Sequence, residues 1–117
     1  MATRKIQKLV NLTPHAITIM DDNENIIFII EPSGKVARVS VRTERTETLT
    51  FNDMPLATSK SVYGKVEGLP EAEDGVVYIV SSMVAQRVPE REDVFIPNES
   101  VRDEIGRIIG CKSLGHI

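Results

Sequence analysis

The 117-residue sequence has one cysteine, Cys111, no tryptophan and only five aromatic residues: Phe28, Phe51, Tyr63, Tyr78 and Phe95. A lone cysteine excludes an intramolecular disulfide and suits a reducing compartment. With so few rings, Ile, Val and Leu must fill the core, and a β-branched core favours sheet. No apolar run approaches the ~20 residues that a membrane helix needs; the longest are Ile26–Ile30 and Val76–Val80. The opening MATRKIQKLVNL is basic but lacks the roughly 7–15-residue apolar stretch of a signal peptide. Positive charge is not in surplus either. The net charge of −3 argues against a protein that coats nucleic acid. A cytoplasmic protein without membrane association is the expectation. Without a secretory route, the glycosylation-type triplets at Asn11 and Asn98 carry no weight.

At this length the chain forms one domain, residues 1–117, with a continuous apolar core. Val10, Leu12, Ile17 and Ile19 predict two short strands broken at Thr13-Pro14. Ile26–Ile30 does not alternate, which predicts a central strand covered on both faces. After a turn at Pro32-Ser33-Gly34, Val36–Val41 predicts a strand with Val39 and Val41 on one face and Arg38, Ser40 and Arg42 on the other. Thr46–Phe51 and Ser61–Glu67 read as further strands, the second with Val62, Gly64 and Val66 opposite Tyr63, Lys65 and Glu67. Asp74-Gly75 predicts a turn that folds Val76–Val80 back on Ser61–Glu67 as a hairpin. One short helix is expected at Ser82–Arg87, ended by Val88 before Pro89. Val94–Ile96 reads as a brief strand, and the type I turn at Asp103–Gly106 predicts a closing hairpin. The expected fold is mainly β, a compact β-barrel or sandwich-like domain with one short α-helix.

The motifs Asn11-Leu12-Thr13-Pro14-His15-Ala16-Ile17, Tyr78-Ile79-Val80-Ser81 with Val84-Ala85, and Val101-Arg102-Asp103-Glu104-x-Gly106-Arg107-x-x-Gly110-Cys111 span most of the chain. With them the sequence resembles a family of uncharacterised small proteins of bacteriophages, prophages and bacterial genomes. The resemblance implies a phage or mobile-element setting and carries no activity with it. By class and size alone, compact β-rich phage proteins include sponges for the cyclic nucleotide signals of host immunity.

The strongest constellation for chemistry is Arg38 and Arg42 on one strand face, with Arg45 beyond. Guanidinium forks grip phosphate bidentately, and two residues four apart on a strand stand ~13 Å apart, a dinucleotide's reach. Tyr63 and Tyr78 are candidate stacking surfaces, and His15, Arg91 and Arg102 candidate ligand contacts. Arg91 near Asp93 and Arg102 beside Asp103 also suit loop anchoring. Cys111 would be a nucleophile only if His15 reached it. Cys111, His15 and His116 lack metal-ligand spacing, and neither a phosphate loop, a dinucleotide fingerprint nor a serine elbow is present. The expectation is therefore a protein that is not an enzyme and needs neither cofactor nor metal. It would bind or sequester a small anionic, nucleotide-derived ligand. The alternative is a protein-interaction module that docks on a host or virion protein. A homo-oligomer fits either reading.

Overall fold

The computed structural model describes residues 3–117. Eight strands and one helix follow in the order β1 (Lys8–Asn11), β2 (Ile17–Met20), β3 (Ile26–Ile30), β4 (Arg38–Phe51), β5 (Met54–Glu67), β6 (Val76–Ile79), α1 (Ser82–Arg87), β7 (Val94–Arg102) and β8 (Ile108–Gly115). The mainly β reading with one short helix holds. Ser81 caps that helix by accepting from the Val84 N–H, and Val84 and Ala85 point into the core.

Six strands form one mixed sheet in the order β1-β6-β7-β8-β2-β3, while β4 and β5 pair only with each other. The sheet is not closed into a barrel. Its ends meet at a single parallel bridge between Asn11 and Pro32. β6 runs parallel to both β1 and β7, so the expected hairpin between Ser61–Glu67 and Val76–Val80 does not form. The short helix supplies the crossover that a parallel neighbour requires. β7 continues through Pro97 to Arg102, which is tolerated because β6 ends at Ile79 and leaves only β8 alongside.

Two apolar clusters flank β6. Leu12, Ala37, Tyr78, Val80, Val84, Ala85 and Val94 lie on one side. Ile17, Ile19, Ile30, Ile79 and Cys111 lie on the other. β6 is thus a strand covered on both faces, as its unbroken apolar run requires. Ile26–Ile30 has the same kind of run but forms the sheet edge, and Ile26, Ile27, Phe28 and Ile29 are all about half exposed or more. The expected central position is corrected to an uncovered edge.

The second correction concerns shape. Instead of separate short strands, β4 and β5 form one long antiparallel ribbon that turns at Asn52-Asp53. Both turn residues have positive φ, 50° and 63°, the conformation of a type I′ hairpin turn. At ~3.3 Å per residue such a ribbon reaches ~46 Å. The molecule is accordingly 60 Å long, with a radius of gyration of 18.5 Å, where a compact chain of this size has about 13 Å. Only the root of the ribbon joins the core, through Val39 and Val66.

Asn11 anchors the root. Its side chain, 1% exposed, donates to the carbonyls of His15 (2.8 Å) and Ile30 (3.1 Å) and accepts from the Thr13 N–H (2.9 Å) and Thr13 Oγ1 (2.6 Å). All four hydrogen-bonding positions of the amide are filled. The Asn11 carbonyl also accepts from Ser33 N–H, and the adjacent Leu12 carbonyl from Ala37 N–H, immediately before the ribbon begins.

Asn11→Ala leaves buried partners unsatisfied and is expected to cost about 3 kcal/mol of stability in urea unfolding. Asn11→Asp, which sets a carboxylate against two carbonyls, is expected to cost more. A loss within about 0.5 kcal/mol for either would show that the clamp is dispensable.

Candidate functional site

The ribbon carries the residues that sequence reasoning favoured, and its bulges decide which of them face one another. Cross-strand partners share a face. Arg42 pairs with Val62, and Val41 with Tyr63. Gly64 and Lys65 together oppose Ser40, a β-bulge that breaks the alternation on β5. Glycine suits this place, since a Cβ there would collide with the Ser40 side chain. The bulge puts Tyr63 on the same face as Val66, Val39 and Val41, where alternation predicted the opposite face. Arg38 and Arg42 therefore share a face as expected, but Tyr63 is on the other.

Tyr63 meets α1 instead. The Arg87 guanidinium carbon stands 4.3 Å from the centre of the tyrosine ring, a cation–π contact. Beside this pair are two shallow cavities. One, of about 370 Å³, is bounded by Ser40, Val41, Arg42, Val62, Tyr63 and Gly64; the other, of about 270 Å³, by Tyr63, Ser82, Met83, Gln86 and Arg87. Arg42 is ion-paired with Glu44 at 2.8 Å, an exposed pair of little energetic weight. Arg38 is exposed opposite Glu67. Arg45 is exposed opposite Ser59.

The other candidates are held by the fold. Tyr78 is 4% exposed in the core, so its ring offers no stacking surface; burial raises its hydroxyl pKa. His15 is exposed, and its carbonyl serves the Asn11 clamp. Arg91 grips Asp93 through two 2.8 Å hydrogen bonds and donates to the Pro70 carbonyl, which ties two loops together. Arg102 donates to the Gly106 carbonyl and closes the turn between β7 and β8. Cys111 is buried on β8, and burial raises its thiol pKa, favouring the unreactive neutral form. Among the described residues, no three His, Cys, Asp or Glu side chains converge on a metal-sized site, and no helix is long and apolar enough to cross a membrane.

Sequence reasoning missed the tip of the ribbon. Leu49 pairs with Leu56 and Phe51 with Met54, so four large apolar side chains share one face. They are exposed by 45%, 56%, 70% and 66% respectively. A second bulge, with Thr46 and Glu47 opposite Thr58, sets this apolar tip on the face that carries Arg42, opposite the face that meets the core. Thr58 Oγ1 stitches the bulge by accepting from Glu47 N–H and donating to the Glu47 carbonyl. The readable signal was Asn52-Asp53 with apolar residues at matched alternate positions on either side.

Compared with known protein families, characterised proteins and solved structures, the chain finds no match. Fold and surface together define a class: a small mainly β domain that projects a long two-stranded arm.

The Arg91 hydrogen bonds hold the Asp93 carboxyl below the usual carboxylate range, and Arg91 is raised in turn. A depressed carboxylate pKa contributes stability above its unfolded value, about 3.9, and that stability is lost as pH falls through the folded value. Asp93→Asn is therefore expected to cost about 2 kcal/mol near neutral pH and to flatten the acid side of the stability profile below about pH 4. Parallel wild-type and variant curves between neutral and acid pH would contradict this origin.

Proposed function

We propose that this protein is a non-catalytic interaction module whose working part is the β4–β5 arm. One observation carries the reading. Residues 42–61 add nothing to either apolar cluster, yet they end in four exposed apolar side chains on one face. A free two-stranded hairpin is marginally stable in water, and a contiguous apolar patch rimmed by polar residues marks a protein contact. An arm of this reach serves to touch something beyond its own domain. In the phage or mobile-element setting that the motifs suggest, the partner would be a host or virion protein or another copy of the chain.

A second reading rests on the Arg87–Tyr63 stack and the cavities beside it, with Arg42 at the rim of one. An aromatic ring, a guanidinium and a nearby second cation suit a small anionic ligand such as a nucleotide-derived signal. A thermal-shift screen against cyclic nucleotides and ADP-ribose derivatives tests it. A ligand at 100 times its dissociation constant adds ~2.7 kcal/mol of stability. Tyr63→Ala and Arg87→Ala are expected to remove that shift, and no shift with any nucleotide would discard this reading.

The arm is tested by shortening it. Arg42 pairs with Val62 and Thr43 with Ser61, so joining Thr43 to Ser61 through Asn-Gly closes a regular two-residue hairpin. The shortened protein is expected to keep its stability within about 1 kcal/mol while losing every association of the intact chain, read by cross-linking and size-exclusion chromatography. Unfolding of the shortened chain, or association that survives, would contradict the assignment.

A further inference from the structure

β3 and β6 carry the same kind of sequence in opposite surroundings. Val76–Val80 is an unbroken apolar run that the fold covers on both faces: Val77, Tyr78, Ile79 and Val80 are all buried. Ile26–Ile30 is equally unbroken, yet only Ile30 is buried, while Ile26, Ile27, Phe28 and Ile29 are exposed by 60%, 58%, 48% and 50%. Beyond β3 the sheet has no further strand, and the Asn11–Pro32 bridge falls past its end. Apart from the Ile30 carbonyl, which Asn11 takes, the outer edge of the strand presents backbone groups with no ladder partner among the described residues, between two apolar faces. Such an edge is a template for pairing with another chain.

The arm offers the matching surface. Each strand of the two-stranded ribbon has a free outer edge, and its tip carries Leu49, Phe51, Met54 and Leu56 on one face. We infer that the arm tip of one copy docks against β3 of a second copy, and that two copies exchange arms in this way about a two-fold axis. The inference rests on the reading of the arm as the interacting element and names its occupant. Area favours a second copy over an unrelated partner. Eight side chains, each 45–70% exposed, offer at most roughly 900 Å² per chain when each is given the roughly 200 Å² of an aromatic residue. One patch docked on a partner surface of equal size buries at most roughly 900 Å² in total, short of the roughly 1,600 Å² of a standard interface, whereas both patches buried reciprocally on two chains bury up to roughly 1,800 Å². Docking also pairs the free edge of β3 with a strand of the arm and sets the apolar tip beside its exposed Ile and Phe side chains. Because the contact joins two different patches, only the two-fold exchange closes it into a dimer.

A complementation experiment separates this arrangement from its rivals. One variant changes the tip, Phe51→Ser with Met54→Ser. The other changes the edge, Ile27→Lys with Ile29→Lys. All four positions are exposed, so both proteins are expected to keep the wild-type circular dichroism; if the edge variant does not, Ile27→Lys alone takes its place. In light scattering over about 1–100 μM, the wild type is expected to run as a dimer that dissociates on dilution, and each variant as a monomer. Mixing the two variants restores one intact contact, between the arm of the edge variant and β3 of the tip variant. A heterodimer should form at least tenfold more tightly than either variant pairs with itself. A tip variant as dimeric as the wild type would mean that two β3 edges pair directly, and would overturn the inference, as would a mixture that cross-links no more than either variant alone. If the wild type is monomeric throughout while shortening the arm still abolishes another association, the second copy is wrong and the arm reading stands. If shortening changes no association, both fall.

Discussion

The structure depends on the carboxamide of Asn11. At the place where the first and last strands of the sheet order meet, the chain must pass from β1 toward β2, return along β3 and launch the arm. Backbone polar groups in such a junction cannot all find ladder partners. Asn11 supplies the missing ones: its amide bonds the carbonyls of His15 and Ile30, its oxygen takes two donors from Thr13, and its own carbonyl takes Ser33. The Asn-Leu-Thr-Pro-His segment is thus a structural knot. Its histidine contributes a carbonyl, and its buried asparagine has no surface to carry a glycan.

From that knot the molecule divides into two parts with different physics. The six-stranded sheet is held by apolar burial on both sides of β6. The arm is held by its own ladder, a type I′ turn and the Thr46–Thr58 hydroxyl contact of 2.7 Å. Bulges do in the arm what packing does in the core. One turns Tyr63 toward α1 and Arg87, and the other sets the apolar tip on the opposite face of the ribbon from Val39 and Val66.

Much of this was legible in the residues. Ser82–Arg87 reads as a helix because serines precede a change to helical spacing, and the turn at Asp103–Gly106 is a local pattern. The unbroken apolar run of β6 is covered on both faces, as such a run implies. The same rule failed for β3, whose equally apolar run lies exposed at the sheet edge, since composition does not set a strand's place in the sheet. Pairing was illegible for a similar reason: β1 with β6 and β2 with β8 are parallel contacts between distant segments, set by packing and not by any adjacent turn. The arginine–tyrosine site failed on a smaller scale, because one extra residue at Gly64-Lys65 reverses every face assignment beyond it. Arg91 and Arg102 proved to be loop clamps, a role already suggested by the neighbouring carboxylate at Asp93 and by the turn after Asp103.

An arm that borrows its stability from a partner surface should show it in its backbone. Native-state amide hydrogen exchange, followed residue by residue at several protein concentrations, measures this directly. In dilute solution the amides of residues 42–61 should exchange orders of magnitude faster than those of β6 and β7. As the concentration rises, these amides and those of β3 should become protected together, while β6 does not change. Arm amides as protected as β6 at the lowest concentration, and indifferent to dilution, would mean that the ribbon is stable by itself and that nothing needs to dock on it.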